Sequence, residues 1–93
     1  MEKNEVSASI FKALGHPLRV GIVRELLKGE KCVGDIVSRF KVNQANASQN
    51  LNILRINGIV KNKKKGTFIY YSLKEPGKIK QILDVLEAKK KKS

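Results

Sequence analysis

Residues 42–54 read VNQANASQNLNIL, in which apolar residues recur at helical spacing among four asparagines and two glutamines. Asparagine competes with the helical backbone for hydrogen bonds, so a helix that needs only a solvated face would more often use other residues. Asn43 can cap the start of such a helix, and Gly58 can close its end. The apolar positions form one narrow stripe, made of Ala47, Leu51, Leu54 and, at its margin, Ile53. The stretch therefore predicts a helix from Asn43 to about Asn57 whose exposed side carries amides.

Three shorter helices are predicted before this one. The first covers residues 7–14, with Ser7 as its N-cap and Gly15 as its stop. The second begins at Pro17, where the missing N–H has no cost. The third is CVGDIVSRF, residues 32–40, whose apolar residues are spaced to face inward. A brief break, KVNQ, separates it from the amide-rich helix.

Beyond Gly58 the hydrophobic period changes from about 3.6 residues to about 2. Residues 59–73, IVKNKKKGTFIYYSL, predict a β-hairpin with Gly66 in its turn and lysines near its tip. A last helix is expected to begin near Pro76. Residues 1–88 then make one domain, and residues 89–93 are expected to be a disordered basic tail.

Positive charge dominates the composition, since 20 lysines and arginines stand against eight acidic residues and give a formal net charge of +12. Setting aside the four lysines of the tail lowers this charge to +8, so the domain itself is basic. Such an excess predicts a polyanionic partner, either nucleic acid or an anionic membrane face. No amphipathic helix rich in Trp and Phe is present, so nucleic acid is the stronger interpretation.

Two short helices joined by a tight break, the second with polar exposed residues, form the helix-turn-helix pattern. In that arrangement the second helix enters the major groove of double-stranded DNA, and its first turns meet base edges. A planar amide offers one donor and one acceptor group, which together match N6 and N7 of adenine. The predicted base-reading residues lie on those first turns: Gln44, Asn46, Ser48 and Gln49.

The hairpin that follows predicts a wing lying against phosphates or in the adjacent minor groove. Phosphate contacts supply affinity but read no sequence. Asn52 is expected to meet the DNA backbone or solvent. The residues expected at the DNA backbone come from the break, the amide-rich helix and the hairpin: Asn43, Asn50, Lys61, Lys63, Lys64, Lys65 and Thr67. The predicted fold is therefore α+β, mainly α, a winged helix-turn-helix with a two-stranded wing and a C-terminal helix.

Three segments together resemble the ArsR/SmtB-type winged-helix transcriptional repressors, namely ALGHPLRVGIVRELLKGEKCVGDI, VNQANASQNLNILRINGIV and KKKGTFIYYSL. The resemblance covers almost the whole chain. It implies a homodimer, formed by the first and last helices, that binds an inverted-repeat operator and is released by an inducer. The chain's own pattern agrees, because both terminal helices carry apolar faces that one small core does not cover. The expected dimerisation residues are Ile10, Phe11, Leu14, Ile79, Ile82, Leu83 and Leu86.

Many proteins of this kind sense metals, but the ligand sets that they use are incomplete in this chain. The arsenic and cadmium type has a Cys-x-Cys pair where this chain reads CVG from Cys32. One thiolate per subunit is too few for these soft ions. The zinc type has Asp and His ligands along the last helix, which here holds Asp84 and Glu87 but no histidine. Neither a metal nor another cofactor is therefore expected, and the sequence indicates no inducer.

Cys32 is the single cysteine, so the chain forms no internal disulfide. Its expected position at a helix N-terminus, near Lys31, would lower the pKa of the thiol and suit a redox or reactive-sulfur sensor. The other interpretation is a small, half-buried apolar residue with a structural role. Some members of the family that sense reactive sulfur pair a cysteine at this position with one in the last helix, and this chain has no such partner cysteine.

An enzyme is not expected, because the sequence shows no spacing that supports a nucleophile–base pair, no phosphate-binding glycine loop and no acid pair in an apolar setting. A winged-helix scaffold could instead serve as an adaptor that binds protein, or it could coat nucleic acid without specificity. An adaptor would not need the lysine-rich wing, and a coating protein would not need the amide-rich helix. The N-terminus, MEKNEVSASIF, lacks an apolar signal core, so a cytoplasmic location without membrane contact is expected.

Overall fold

The computed structural model describes residues 2–91, with side chains as far as residue 88, as five helices and a three-stranded antiparallel sheet. The helices are α1 (Lys3–Leu14), α2 (Pro17–Leu26), α3 (Val33–Phe40), α4 (Gln44–Ile56) and α5 (Pro76–Lys91). The strands are β1 (Lys31–Cys32), β2 (Val60–Lys65) and β3 (Phe68–Leu73). The predicted α+β class, mainly helical, is confirmed.

Helix α1 begins at Lys3, so the predicted start at Ser7 is wrong. The N-cap is Glu2, whose carboxylate accepts the N–H of Glu5, while the Glu5 carboxylate accepts the N–H of Glu2 at 3.3 Å. This reciprocal pair satisfies two N–H groups that a helix start leaves without partners. The helix therefore starts four residues before the serine that was predicted as its N-cap. Gly15 follows the last residue of the helix, as expected.

Helix α2 has Pro17 at its first position, as predicted, and His16 as its N-cap. The imidazole Nδ1 of His16 accepts the N–H of Leu18 at 3.2 Å. The single histidine of the chain is therefore occupied as a helix cap.

The sheet contains a strand that the sequence did not predict. Strand β1 pairs with β3, with Lys31 opposite Tyr71 and Cys32 opposite Tyr70, so the strand order is β1-β3-β2. The predicted two-stranded hairpin is present as β2 and β3, and the sheet has one strand more than was predicted. Two residues are too few to show a period of 2, and their pairing depends on a strand that comes much later in the chain.

The hairpin of β2 and β3 turns through Gly66 and Thr67, between the paired residues Lys65 and Phe68. Gly66 has φ +62°, a conformation that glycine adopts without strain and that a two-residue hairpin turn requires at its first position. The predicted place of the turn is confirmed. The base of the hairpin adds its buried residues Val60, Tyr71 and Leu73 to the core, so only the tip projects.

Helix α4 lies at the centre of the fold, in contact with α1, α2, α3 and β2. Its predicted stripe of Ala47, Leu51 and Leu54 is fully buried, at 0% exposure. Deep burial of one face holds the helix firmly and leaves the other face outside. Helix α5 is described to Lys91, so it includes the first residues of the expected tail, while Lys92 and Ser93 lie outside the described residues. None of the helices between residues 2 and 91 is long and apolar enough to cross a membrane.

Candidate nucleic-acid interface

A tight break joins α3 to α4 and sets the start of α4 on the surface. Helix α3 ends at Phe40, and Lys41 takes the left-handed conformation with φ 55° and ψ 43°. Asn43 then caps α4, because its side-chain oxygen accepts the N–H of Asn46 at 2.7 Å. The predicted cap is confirmed, and two helices with a break of three residues form the helix-turn-helix arrangement.

The ion pairs of Glu25 hold α3 against α2. Glu25 is 8% exposed, and its carboxylate accepts hydrogen bonds from Lys28 and from Arg39 of α3, each at 3.1 Å. The hydrogen bond from Lys28, followed by the charges of Lys28 and Arg39, lowers the pKa of Glu25 although burial opposes the shift. The carboxylate therefore stays charged and keeps the first helix of the pair in place.

The predicted base-reading residues lie on the outer side of the first turns of α4. Gln44, Asn46 and Gln49 are exposed, and Ser48 is half-buried. Neither glutamine is hidden inside the subunit, so their amides can reach a groove. Their contact with bases stays a prediction.

Asn50 is buried, so the prediction that it contacts the DNA backbone is wrong. The residue is only 6% exposed. Its oxygen accepts a hydrogen bond from Arg19 of α2 at 2.8 Å, and its nitrogen donates to Asn46. The sequence pattern alone placed Asn50 among the exposed amides because its burial depends on Arg19, a residue of another helix.

The centre of the exposed face of α4 includes three residues beside Gln49 for which no base-reading role was predicted: Ala45, Asn52 and Ile56. Ala45, Gln49, Asn52 and Ile56 follow one another at steps of three and four residues, and all are exposed. The Asn52 oxygen accepts a hydrogen bond from Arg55 at 2.7 Å. Helical spacing measured from the buried stripe would have identified these positions.

The wing carries lysines on both of its faces. Lys61 and Lys63 share one face of β2, and Lys64 lies on the other, because side chains alternate along a strand. All three are exposed, as is Thr67 of the turn. Lys65 is also exposed, but it forms an ion pair with Glu30.

The start of α3 carries both Cys32 and Asp35. Cys32 is half-buried and is the N-cap of α3, where its sulfur accepts the N–H of Asp35. The Asp35 carboxylate accepts the N–H of Cys32 at 2.9 Å, and this hydrogen bond is the main cause of the lowered pKa of Asp35. Within residues 2–91, no three His, Cys, Asp or Glu side chains come close enough together to hold a metal ion.

An apolar groove lies between α1, α2 and α5, on a different part of the surface from the wing. Phe11 and Leu86 at its rim are 69% and 61% exposed, and Ile82 is 39% exposed. Ile79 and Leu83 are each only 7% exposed, since they pack into the core of the single chain. The remaining two of the predicted dimerisation residues, Ile10 and Leu14, are half-buried.

The helix pair, the polar outer face of α4 and the lysine-bearing hairpin define a winged helix-turn-helix protein of the DNA-binding class. A model of the arsR family of bacterial regulatory proteins matches residues 16–62. The chain belongs to this family, whose members are DNA-binding transcriptional regulators and not enzymes. The family predicted from the sequence is thereby confirmed.

Individual relatives agree over nearly the full chain. An uncharacterised HTH-type transcriptional regulator of Methanocaldococcus jannaschii is 40% identical and aligns over 94% of this chain and 98% of its own length. The biofilm growth-associated repressor of Xylella fastidiosa is 39% identical over 92% of this chain and 75% of its own. The homodimeric winged helix-turn-helix domain Mb0332 of Mycobacterium bovis superposes with a TM-score of 0.78 at 28% identity, over 90% of this chain and 77% of that one.

Proposed function

We propose that the protein is a homodimeric repressor that binds an inverted-repeat operator in double-stranded DNA. A small inducer, whose identity does not follow from the sequence, would release it from the DNA. The observation that carries this proposal is the exposed amide face on the first turns of α4, next to a wing with exposed lysines. The repressor role is supported by the relative from Xylella fastidiosa, which is named a repressor. The family model describes bacterial regulatory proteins, and bacterial DNA lies in the cytoplasm, where such a regulator would act.

The reading role belongs to Gln44, Asn46, Ser48 and Gln49, which would meet base edges in the major groove. Each amide or hydroxyl can form hydrogen bonds with the groups that bases present there. Asn43 is exposed beside them and would lie near a phosphate. These contacts would supply sequence preference, because base edges differ from one base pair to the next.

The wing would supply affinity without sequence preference. Lys61, Lys63 and Lys64 are exposed on both faces of β2, and Lys65 and Thr67 lie at the tip. Each lysine that neutralises a phosphate releases counterions, so binding would weaken steeply as salt rises. The formal net charge of +12 favours this mode of binding.

The dimer would form through the apolar groove and its rim. Phe11, Val85 and Leu86 are each more than 60% exposed. Exposed apolar side chains of this size on neighbouring helices are typical of a surface that binds another protein. A second copy would cover them, and the related Mycobacterium bovis domain is a homodimer. Two α4 helices related by a two-fold axis would then read half-sites about 34–36 Å apart.

The test is a comparison of two duplexes, a palindromic site selected from a random library and a scrambled duplex of the same composition. We expect binding to the selected site to be at least about 10³-fold tighter, with a steep dependence on salt. A protein that coats nucleic acid would show the salt dependence without the preference. A protein-binding adaptor would show neither, and either result would contradict the proposal.

A further inference from the structure

A chain of hydrogen bonds runs from α2 to the first turn of α4. The Nε of Arg19 donates to the backbone oxygen of Ala13 at 2.5 Å, and its Nη1 donates to Asn50 Oδ1 at 2.8 Å. Asn50 Nδ2 in turn donates to the backbone oxygen of Asn46 at 2.9 Å and to Asn46 Oδ1 at 2.8 Å. Asn50 is 6% exposed, so these protein groups replace water as its partners.

The guanidinium of Arg19 determines which group donates and which accepts in each hydrogen bond of this series. A guanidinium has donors and no acceptor, so the side of the Asn50 amide that faces Arg19 must be its oxygen. The nitrogen of Asn50 then faces Asn46, where the backbone carbonyl also requires a donor. The Asn46 amide must meet that nitrogen with its own oxygen. Its NH₂ group is left on the outer side, and it donates to no partner among residues 2–88.

We infer that Arg19 and Asn50 are positioning residues that make Asn46 a donor-only reader of the major groove, selective for guanine over adenine. This inference rests on the proposed function. Bidentate pairing with adenine needs the oxygen and the NH₂ group of one amide to face the base together, whereas the Asn46 oxygen is turned towards Asn50 Nδ2 and away from the outer side of α4. Guanine presents two acceptors, N7 and O6, to which an NH₂ group can donate. For Asn46 alone, this inference replaces the adenine match expected from the sequence.

Selection of binding sites from a random duplex library tests the inference. Asn46→Ala should abolish base preference at one position of each half-site, which identifies the base that Asn46 reads. At that position the wild-type protein should prefer guanine over adenine by at least about fivefold. In Arg19→Gln the charged donor is replaced by an amide that can donate or accept, and only the Asn46 backbone carbonyl still favours the present orientation of Asn50, so this ratio should fall.

Other positions of the site should keep their preferences in Arg19→Gln, since Gln44 and Gln49 do not belong to the hydrogen-bond chain. Arg24→Gln is the matched control, because Arg24 also lies on α2 but donates to Glu87 at 2.5 Å. This control should retain the guanine preference. An unchanged ratio in Arg19→Gln, or an equal loss of binding to every sequence, would overturn the inference.

A second variant should invert the preference. In Asn50→Asp the carboxylate accepts from Arg19 and offers only oxygen to Asn46, so the Asn46 amide turns over and presents its oxygen to the groove. The preferred bases should then be those with an amino group in the major groove, cytosine and adenine. Gln81→Glu places the same charge at an exposed position of α5, away from α4, and should leave guanine preferred. Retention of guanine in Asn50→Asp would contradict the inference.

The wild-type protein alone gives an independent measure of the orientation. In ¹⁵N-labelled protein without DNA, the side-chain NH₂ of Asn50 should exchange with solvent slowly and that of Asn46 rapidly. The reverse order would overturn the inference even if no variant folds. If the wild type selects no sequence, the proposed function fails, and the exchange rates still report how the Asn46 amide is held.

Discussion

At the scale of single residues, Gln49 and Lys64 should contribute to DNA binding in different ways. Gln49 is an exposed amide on α4, and Lys64 is an exposed cation on β2. We expect Gln49→Ala to cost about 1–3 kcal/mol on the selected operator and little on scrambled DNA. Lys64→Ala should weaken both duplexes similarly and reduce the salt slope by about 1. Anisotropy titrations at several salt concentrations measure both effects, and equal losses on the two duplexes would remove Gln49 from base reading.

The capping position of Cys32 favours a structural role for this thiol. Serine is a stronger N-cap than most residues, so Cys32→Ser should keep or raise the free energy of unfolding. Release of the operator by oxidants or persulfides should then be the same in the variant and the wild type. A response that disappears in Cys32→Ser would establish the other interpretation, a thiol sensor.

Asp35 should make stability depend on pH in the acid range. Its pKa is lowered from the usual 3.8, first by the hydrogen bond from the Cys32 backbone N–H. A carboxylate with a lowered pKa stabilises the fold above its unfolded pKa, and that contribution is lost as the pH falls through the folded value. The difference in free energy of unfolding between wild type and Asp35→Asn should therefore be constant above about pH 5 and shrink below about pH 4. Urea titrations across this range measure it, and a difference that does not shrink would contradict the assignment.

At the scale of secondary structure, the start of α4 depends on one side chain. Asn43 Oδ1 accepts the N–H of Asn46, and no other side chain caps the start of α4 among the described residues. Asn43→Ala should lower the free energy of unfolding by about 0.5–2 kcal/mol, as for other N-caps. Asn52→Ala, on the exposed side of the same helix, should change it by no more than about 0.5 kcal/mol. Denaturant titrations at one protein concentration compare the two, and similar losses would show that the cap contributes little.

At the scale of the whole molecule, the apolar rim of α5 should decide the oligomeric state. Leu86→Lys places a charge in the proposed dimer interface, where Leu86 is 61% exposed in the single chain. Light scattering should give twice the 10.4 kDa chain mass for the wild type and the single-chain mass for this variant. Gln81→Lys adds the same charge to α5 at another exposed position and should stay dimeric. A dimeric Leu86→Lys protein would place the interface elsewhere.

Loss of the dimer should also weaken operator binding much more than scrambled-duplex binding. Once one subunit of a dimer binds its half-site, the second subunit is held at a high effective concentration near the other half-site. A single subunit lacks this advantage. The Leu86→Lys variant keeps the wing and α4 intact, so binding to a single half-site should remain. This comparison separates the contribution of dimerisation from that of the reading residues.

The sequence by itself determined those features that depend on neighbours along the chain. The helical period of residues 44–56, the cap at Asn43, the proline at the start of α2 and the glycine turn of the wing were all predicted correctly. Each follows from the conformational preferences of a few adjacent residues, so no distant contact is needed to infer it. The net charge likewise indicated nucleic acid without any structure.

Only the tertiary structure decided which side chains of these elements are exposed and which are buried. Asn50 is buried because Arg19, 31 residues earlier, meets it. Strand β1 exists because β3 lies beside it, and Ile79 and Leu83 belong to the core while Leu86 remains exposed. The physical reason is that a local pattern defines the face of a helix or strand, whereas burial and hydrogen-bond direction depend on residues brought together from distant parts of the chain.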